Sequence, residues 1–256
     1  KRLIYGAVLA FIVILLGGSL DRKISIFSLQ YLADYNGDFD FDTFLRKEGH
    51  VGYLVTNPLT RRRHLGLGGY HVKYDTLKEI QQVLWVNEVK KEAFESALVL
   101  GLGGHQALAT LVHLNEGKNA KNWQVDIVDN NPIFMDLNFR ERLAQDSQIT
   151  WNNEHLNLIN EDAFTFVFKN RKKYDVIIWN LSWPIANSTG KLYTSEFVKT
   201  LDMSLAPRGV MVGYIDTVFF DQESLYCLFQ NSTSHFLALP GLAANIVWIS
   251  ANEPIN

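Results

Sequence analysis

The chain has 256 residues, of which 47% are hydrophobic, and a formal net charge of −3 at pH 7. This length and apolar content suit one substantial α/β domain with a small additional unit. The charge balance offers no basic field to a nucleic acid, and the single cysteine excludes an internal disulfide. Because Cys227 lies in the apolar run Leu225–Phe229, we expect it in the core.

An uncharged apolar segment, Leu3–Leu20, lies near the start of the chain, and Asp21, Arg22 and Lys23 close it. A helix of this length would extend about 27 Å at ~1.5 Å per residue, close to the ~30 Å hydrocarbon core of a bilayer. A signal peptide is one alternative, and a core helix, which would usually carry a polar face, is the other. The sequence predicts a transmembrane helix over residues 1–23, with the soluble domain in the cytoplasm. Basic residues flank both ends, so the positive-inside rule does not settle the orientation.

Residues 24–48 contain the acidic, turn-rich stretch Asp34–Asp42. Its D-x-N-x-D spacing resembles a calcium loop, but the required glycine and the distal glutamate are missing. We therefore expect a solvated linker and no metal site. Residues 49–92 follow as a small β unit plus a helix, because Gly49–Val72 alternates as strands do and Asp75–Lys91 has apolar residues at helical spacing.

From residue 93 onward, apolar runs alternate with helical patterns, which predicts a mostly parallel, doubly wound α/β sheet covered on both faces. The predicted strands are Ala97–Leu100, Gln124–Val128, Leu156–Ile159, Tyr174–Trp179, Gly209–Ile215 and Asn245–Ser250. The predicted helices are Gln106–Asn115, Pro132–Gln145, Asp162–Lys169, Thr194–Ser204 and Gln222–Gln230. In such sheets ligands bind at the carboxyl ends of the strands.

A glycine-rich turn follows the first of these strands, with Gly101, Gly103 and Gly104 directly before a helix start. Glycines let the backbone bend sharply and approach a ligand, and the helix presents free N–H groups. Asp129 ends the second strand, where a carboxylate can accept both ribose hydroxyls of a nucleoside. Together these features favour a nucleoside site.

Two further stretches meet the same edge of the sheet. Asp162, after the third strand, can cap the next helix or accept a hydrogen bond from an adenine amino group. After the fourth strand, Asn180, Ser182 and Trp183 would lie closest to any chemistry. A dinucleotide dehydrogenase is a weaker alternative, because Gln106 stands where the G-x-G-x-x-G pattern needs its third glycine.

This order of motifs resembles the spermidine synthase family, the polyamine aminopropyltransferases, which share the class I S-adenosylmethionine methyltransferase fold. The resemblance covers about Gly49–Ala251 and includes LGLGGH at residues 100–105 and APRGVMV at residues 206–212, which is similar to the family's KPGGxxV. It implies S-adenosylmethionine or its decarboxylated form as cofactor, with Asp129 on the ribose and Asp162 on the adenine side. The sequence contains no HExxH and no paired CxxC motif, so we expect no metal site.

The chain departs from this family where catalysis is carried out. The family typically reads YDVIxxDxxDP, and this chain reads YDVIIWNLSWP, which places Asn180 and Trp183 at the two carboxylate positions. Two hypotheses follow. The chain is a non-catalytic subunit or scaffold of a membrane assembly, with other membrane-protein subunits or a second copy as partner. Alternatively, it is an aminopropyl or methyl transferase whose acceptor needs no carboxylate base.

Overall fold

The computed structural model describes residues 40–47, 50–56, 63–67, 70–72, 75–103, 105–144, 151, 153–181, 189–216, 222–230, 232–241 and 245–255. The predicted transmembrane helix lies outside these residues, as do Gly104, Ser182 and Trp183. Within the described ranges, no helix is long and apolar enough to cross a membrane. The same ranges contain no group of His, Cys, Asp and Glu side chains that could hold a metal ion.

The described residues divide into two compact units, and the smaller is built on a four-stranded sheet in the order β1-β2-β3-β4. The second and third strands pair antiparallel, with Gly52 opposite Leu67. The first strand lies in a region for which the sequence indicated a linker. The strands are β1 (Asp40–Lys47), β2 (His50–Thr56), β3 (Arg63–Leu67) and β4 (Tyr70–Val72).

The larger unit contains a seven-stranded sheet in the order β10-β11-β9-β8-β5-β6-β7. The five strands from β9 to β7 are parallel, whereas β11 runs antiparallel to both β9 and β10. The prediction of a mostly parallel sheet is therefore confirmed, and β10 is an additional strand. The strands are β5 (Ser96–Leu100), β6 (Gln124–Val128), β7 (Leu156–Ile159), β8 (Tyr174–Trp179), β9 (Leu205–Asp216), β10 (His235–Pro240) and β11 (Asn245–Ala251).

Six α-helices and two short 3₁₀ helices are described. The helix predicted over Pro132–Gln145 is instead a 3₁₀ turn and a separate α-helix, because Asp136 is extended and accepts a hydrogen bond from Phe139 N at 2.9 Å. The α-helices are α1 (Asp75–Val89), α2 (Gln106–Gly117), α3 (Leu137–Ala144), α4 (Ala163–Lys169), α5 (Ser195–Asp202) and α6 (Gln222–Gln230). The 3₁₀ helices are Pro132–Met135 and Thr189–Tyr193.

An aromatic core fills one face of the larger sheet. The Trp179 ring is 5.3 Å from the rings of both Phe197 and Trp248, centroid to centroid, and is fully buried. Trp179 is therefore a packing residue. Cys227, expected in the core, is exposed. Leu225 and Phe229, four residues apart, form the buried face of α6, so a residue midway between them points away from the core.

Candidate functional site

Backbone hydrogen bonds hold the carboxyl ends of four strands in a row. Asp129 N donates to Ile159 O at 3.1 Å, Gly101 N donates to Val128 O at 2.9 Å, and Asn180 N donates to Leu100 O at 2.9 Å. The residues that leave β7, β6, β5 and β8 thus start side by side. This row brings the predicted glycine turn, ribose-side acid and altered carboxylate position to one edge.

Two positions of the glycine turn require glycine, because their φ values are positive and because a Cβ atom there would clash with neighbouring atoms. Gly101 and Gly103 have φ values of +83° and +53°. A Cβ at Gly101 would lie 2.9 Å from Asn180 O. A Cβ at Gly103 would lie 2.7 Å from Asn180 Nδ2 and 2.9 Å from Glu79 Oε1. Gly101 therefore allows the backbone of Asn180 to approach the turn, and Gly103 allows the polar side chains of Asn180 and Glu79 to pack against it.

Asp129 binds the glycine turn with its own carboxylate. Its Oδ2 accepts a hydrogen bond from Leu102 N at 2.8 Å, and its Oδ1 accepts one from Asn131 N at 2.8 Å. Both oxygens of the carboxylate are thus engaged by backbone N–H groups. The side chain fixes the path of the turn at the position that the sequence predicts for ribose binding.

Asp162 caps helix α4, which is one of the two roles that the sequence predicted for it. Its Oδ1 accepts hydrogen bonds from Thr165 N and Oγ1, both at 3.1 Å, and from Lys191 Nζ at 2.9 Å. Burial alone would raise the pKa of Asp162, but the hydrogen bonds from Lys191 and Thr165 outweigh it and hold the pKa below its ordinary value. The carboxylate is therefore ionised and paired.

Asn180 lies under the turn, where its side-chain amide forms a bridge. Its Oδ1 accepts a hydrogen bond from Gln82 Nε2 at 3.2 Å, and its Nδ2 donates to Gly101 O at 3.2 Å. Asn180 is 6% exposed and Gln82 is fully buried. The amide at this position joins α1 to the glycine turn.

Two buried polar residues of this site, Glu79 and Gln82, come from helix α1 and were not predicted. Glu79 Oε2 accepts hydrogen bonds from Gln106 N at 2.9 Å and Ala107 N at 3.1 Å, the first two N–H groups of α2. Glu79 is 1% exposed. These contacts join residues far apart in the sequence, so only the polar character of buried positions on α1 could have indicated them.

His105 precedes helix α2 and is also buried, at 3% exposure. Its backbone is left-handed, with φ of 66°. Burial lowers the pKa of the imidazole to about 4, so the side chain is neutral near pH 7. Its Nε2 lies 3.3 Å from Gln106 Nε2, and its Nδ1 has no hydrogen-bond partner within the described part of the chain.

The family of this chain follows from its sequence similarity to known proteins. A model of the spermine/spermidine synthase domain matches residues 84–246, well over half of the chain. The chain belongs to the spermine/spermidine synthase family. The prediction made from the order of its motifs is confirmed.

Relatives in this family are distant and longer. Polyamine aminopropyltransferase 2 of Aquifex aeolicus is 26% identical over 161 residues, which are 61% of this chain and 31% of that protein. The polyamine aminopropyltransferase of Sulfolobus acidocaldarius is 28% identical over 170 residues, 63% of this chain and 54% of that protein. The chain thus spans about a third to about half of these curated relatives.

A solved structure shows the same fold. A spermidine synthase in complex with the transition-state analogue AdoDATO superposes with a TM-score of 0.68 at 14% identity, covering 84% of this chain and 74% of that one. The described residues therefore share the fold of that spermidine synthase.

An open depression of about 470 Å³ lies elsewhere on this member of the spermine/spermidine synthase family. Its lining includes Ser96, Gln124, His155 and Lys172, which start or precede strands of the sheet. It therefore lies at the amino ends of the strands and is separate from the candidate nucleoside site at their carboxyl ends.

Proposed function

We propose that this chain is a non-catalytic, membrane-anchored member of the spermine/spermidine synthase family that acts as a subunit or scaffold of a membrane assembly. The observation that carries the proposal is the Asn180 bridge. The amide oxygen and nitrogen of Asn180 are both used in buried hydrogen bonds to Gln82 and Gly101, so this position serves to hold the turn.

The chemistry of amine transfer supports this proposal. A polyamine nitrogen is protonated near pH 7 and cannot attack until a base removes a proton. The amide of Asn180 cannot act as that base, and Trp183 cannot pair with an ammonium as a carboxylate does, although its ring face can offer a cation–π contact. The carboxylates of Asp129 and Asp162 already hold backbone N–H groups and, for Asp162, Lys191.

The proposed membrane location is based on the apolar segment Leu3–Leu20. It would anchor the chain, with the folded units on the cytoplasmic side. The partners would be other membrane-protein subunits or a second copy of the chain. Retention of the sheet without a base at position 180 supports a scaffold role, because a scaffold needs the packing of the fold but not the activation of an amine.

A second candidate, a transferase that uses S-adenosylmethionine or its decarboxylated form, is favoured by the retained acids. Val128 and Ile159 are paired in register at the ends of β6 and β7, which places Asp129 next to the β7 end that leads to Asp162. Asp129 would accept the ribose hydroxyls, and Asp162 would accept the adenine amino group. The acceptor would be one that needs no carboxylate base.

A transfer assay separates the two candidates. The chain, purified from membranes, is incubated with decarboxylated S-adenosylmethionine and a diamine, and separately with S-adenosylmethionine and methyl acceptors. We expect no transfer above the protein-free rate. Measurable turnover by the unmodified chain would refute the non-catalytic proposal.

The variant Asp129→Ala supplies a second test of the same choice. As a scaffold, the variant should keep its partners in co-purification from detergent extracts. As a transferase, it should lose nucleoside binding in calorimetry. Glu88→Ala, an exposed acid on α1, is the matched control.

A further inference from the structure

The residues that immediately precede three neighbouring strands form a row along the open depression at the amino ends of the sheet. Strands β5, β6 and β7 are adjacent and parallel. Gln124 N donates to Glu95 O at 2.9 Å, so the pairing of β5 with β6 continues one residue before β5. The same register places Glu95, Trp123 and Glu154 side by side, with about 4.8 Å between neighbouring strands. All three line the depression.

Trp123 is at the centre of this row and packs against two other rings. Its ring centroid lies 4.4 Å from that of His155, with the rings nearly parallel, and 6.2 Å from that of Phe94, with the rings edge to face. Although Trp123 is only 4% exposed, it lines the depression. No hydrogen bond from its indole Nε1 to another described residue is present. The indole N–H is therefore a donor that a ligand in the depression can pair.

The charges along the depression are unbalanced. Glu95 and Glu154 are exposed, and neither carboxylate has an ion-pair partner within the described ranges. Lys172 also lines the depression, but its Nζ donates to Asp126 Oδ2 at 2.9 Å, so its charge is already compensated. Two uncompensated carboxylates on either side of an aromatic ring attract a cation. The described residues contain no group of side chains that could hold a metal ion, so an organic cation is the better match.

We infer that the depression is a docking site for an arginine side chain of a partner protein. A guanidinium is planar, carries five N–H donors in a fixed geometry that matches carboxylates, and stacks on aromatic rings. It would pair with Glu95 and Glu154, while a peptide carbonyl beside it would accept the hydrogen bond of the Trp123 indole. The inference rests on the proposed function only in taking the partner to be a protein of the assembly, and it does not depend on the absence of catalysis.

The test is a titration of the full chain in detergent with the tripeptide N-acetyl-Gly-Arg-Gly-amide, followed by nuclear magnetic resonance. The chain has six tryptophans, and the indole N–H signal that disappears in Trp123→Phe belongs to Trp123. We expect this signal to shift saturably, with a dissociation constant of about 1–10 mM, as a few exposed ion pairs imply. The corresponding Gly-Glu-Gly peptide should cause no shift. Absence of a saturable shift with the arginine peptide, or equal shifts with both peptides, would overturn the inference.

A second comparison distinguishes an arginine side chain from a free guanidinium compound. Methylguanidinium has the same charged group but no peptide carbonyl, so it should bind at least about threefold more weakly than the arginine peptide, the effect of about one net hydrogen bond. The Gly-Lys-Gly peptide should also bind more weakly, because an ammonium lacks the planar arrangement of donors. Equal affinities of methylguanidinium and the arginine peptide would refute the assignment to a protein side chain.

Variants that remove one charge locate the site. Glu95→Gln and Glu154→Gln keep the size of each side chain, and each should weaken binding of the arginine peptide about threefold, or about tenfold when combined. Glu116→Gln changes an exposed acid at the end of α2, outside the depression, and is the matched control that should bind like the unmodified chain. An equal loss in Glu116→Gln, or no loss in the double variant, would refute the site.

Thermal unfolding shows whether each variant keeps the fold, which we expect for the two glutamates because they are exposed. If Trp123→Phe does not fold, His155→Gln removes the ring stacked on the indole and assigns the signal by its changed position. Failure of the arginine peptide to bind would leave the non-catalytic proposal in place, because that proposal rests on Asn180. Turnover by the unmodified chain would refute only the non-catalytic proposal, so the two failures are distinguishable.

Discussion

His105 combines three unfavourable features at one residue. Its backbone is left-handed, which costs a side-chain-bearing residue about 1–2 kcal/mol. It is buried, and its Nδ1 has no hydrogen-bond partner in the described ranges. Such strain persists only where the surrounding structure holds the residue in place.

The low pKa of His105 makes the stability of the fold depend on pH. Burial lowers the pKa from 6.5 to about 4, so between these values the unfolded chain binds a proton that the folded chain does not. The stability contributed by the neutral imidazole is complete above pH 6.5 and is lost as the pH falls toward 4. The loss amounts to about 3 kcal/mol at 1.4 kcal/mol per pH unit.

The substitution His105→Asn tests this directly, because asparagine tolerates the left-handed region and does not titrate. We expect the free energy of unfolding, measured in urea from pH 7 to pH 4.5, to fall less steeply in the variant than in the unmodified chain. His113→Asn, at a half-exposed position of α2, is the control. An unchanged slope in His105→Asn would refute the assignment.

The sequence pattern predicts the residues of the glycine turn but not the polar residues that pack against it. Gly101, Gly103 and Asp129 follow directly from a strand or turn pattern, and the structure brings them together. Glu79 and Gln82 contact partners 27 and 98 residues away, and no local pattern encodes such contacts. On an amphipathic helix, polar residues are ordinarily assigned to solvent, so these two could not be placed without the fold.

At the level of elements, the buried parallel strands were predictable because each is a continuous apolar run between turns. The sequence did not predict β10, because what defines this strand is its pairing with β11. In that pairing His235 lies opposite Ala251, a contact that no local pattern encodes. The break at Asp136 was missed because an acid inside a helical pattern is tolerated, and only its side-chain bond to Phe139 N shows that it starts a new helix.

Strands β6, β7 and β8 are joined by the side chain of Asp126. It accepts hydrogen bonds from Asn157 Nδ2 at 2.8 Å, Tyr174 Oη at 2.9 Å and Lys172 Nζ at 2.9 Å. Because β5 lies between β6 and β8, the bond to Tyr174 reaches across a strand. Burial would raise the pKa of Asp126, but the bonds from Lys172, Asn157 and Tyr174 lower it below 3.8.

Replacement of this acid should reduce stability in a pH-dependent way. We expect Asp126→Asn to lower the free energy of unfolding at pH 7 by about 1–3 kcal/mol, because charged hydrogen bonds in a largely buried site are lost. A carboxyl with a lowered pKa contributes stability above its unfolded pKa and loses it as the pH falls through the folded one. The deficit of the variant should therefore shrink below about pH 4.

Chemical denaturation at pH 7 and pH 3 measures this difference. Glu161→Gln is the matched control, because the ion pair between Glu161 and Lys169 is exposed, and such pairs are worth about 0–1 kcal/mol. A deficit of Asp126→Asn that is equal at both pH values would show that the carboxylate charge is not what joins the strands.

At the scale of the whole molecule, the family fold and the proposed anchor rest on different kinds of evidence. The match over residues 84–246 establishes the family. The anchor follows from hydropathy alone, since Leu3–Leu20 lies outside the described residues. Composition can predict such a segment because the bilayer constrains length and polarity and requires no partner contacts. It cannot predict the assembly, which depends on surfaces of other chains.

The anchor is tested by making the segment polar. We expect the unmodified chain to remain in the membrane pellet after carbonate extraction. The double variant Ile12→Arg and Leu16→Arg should move to the supernatant, because each arginine near the centre of a spanning helix costs about 2.5–3.5 kcal/mol. Arg2→Lys, which keeps the charge at the edge of the segment, is the control and should stay in the pellet. Extraction of the unmodified chain by carbonate would refute the anchor, and with it the membrane assembly, while the family assignment and the Asn180 bridge would stand.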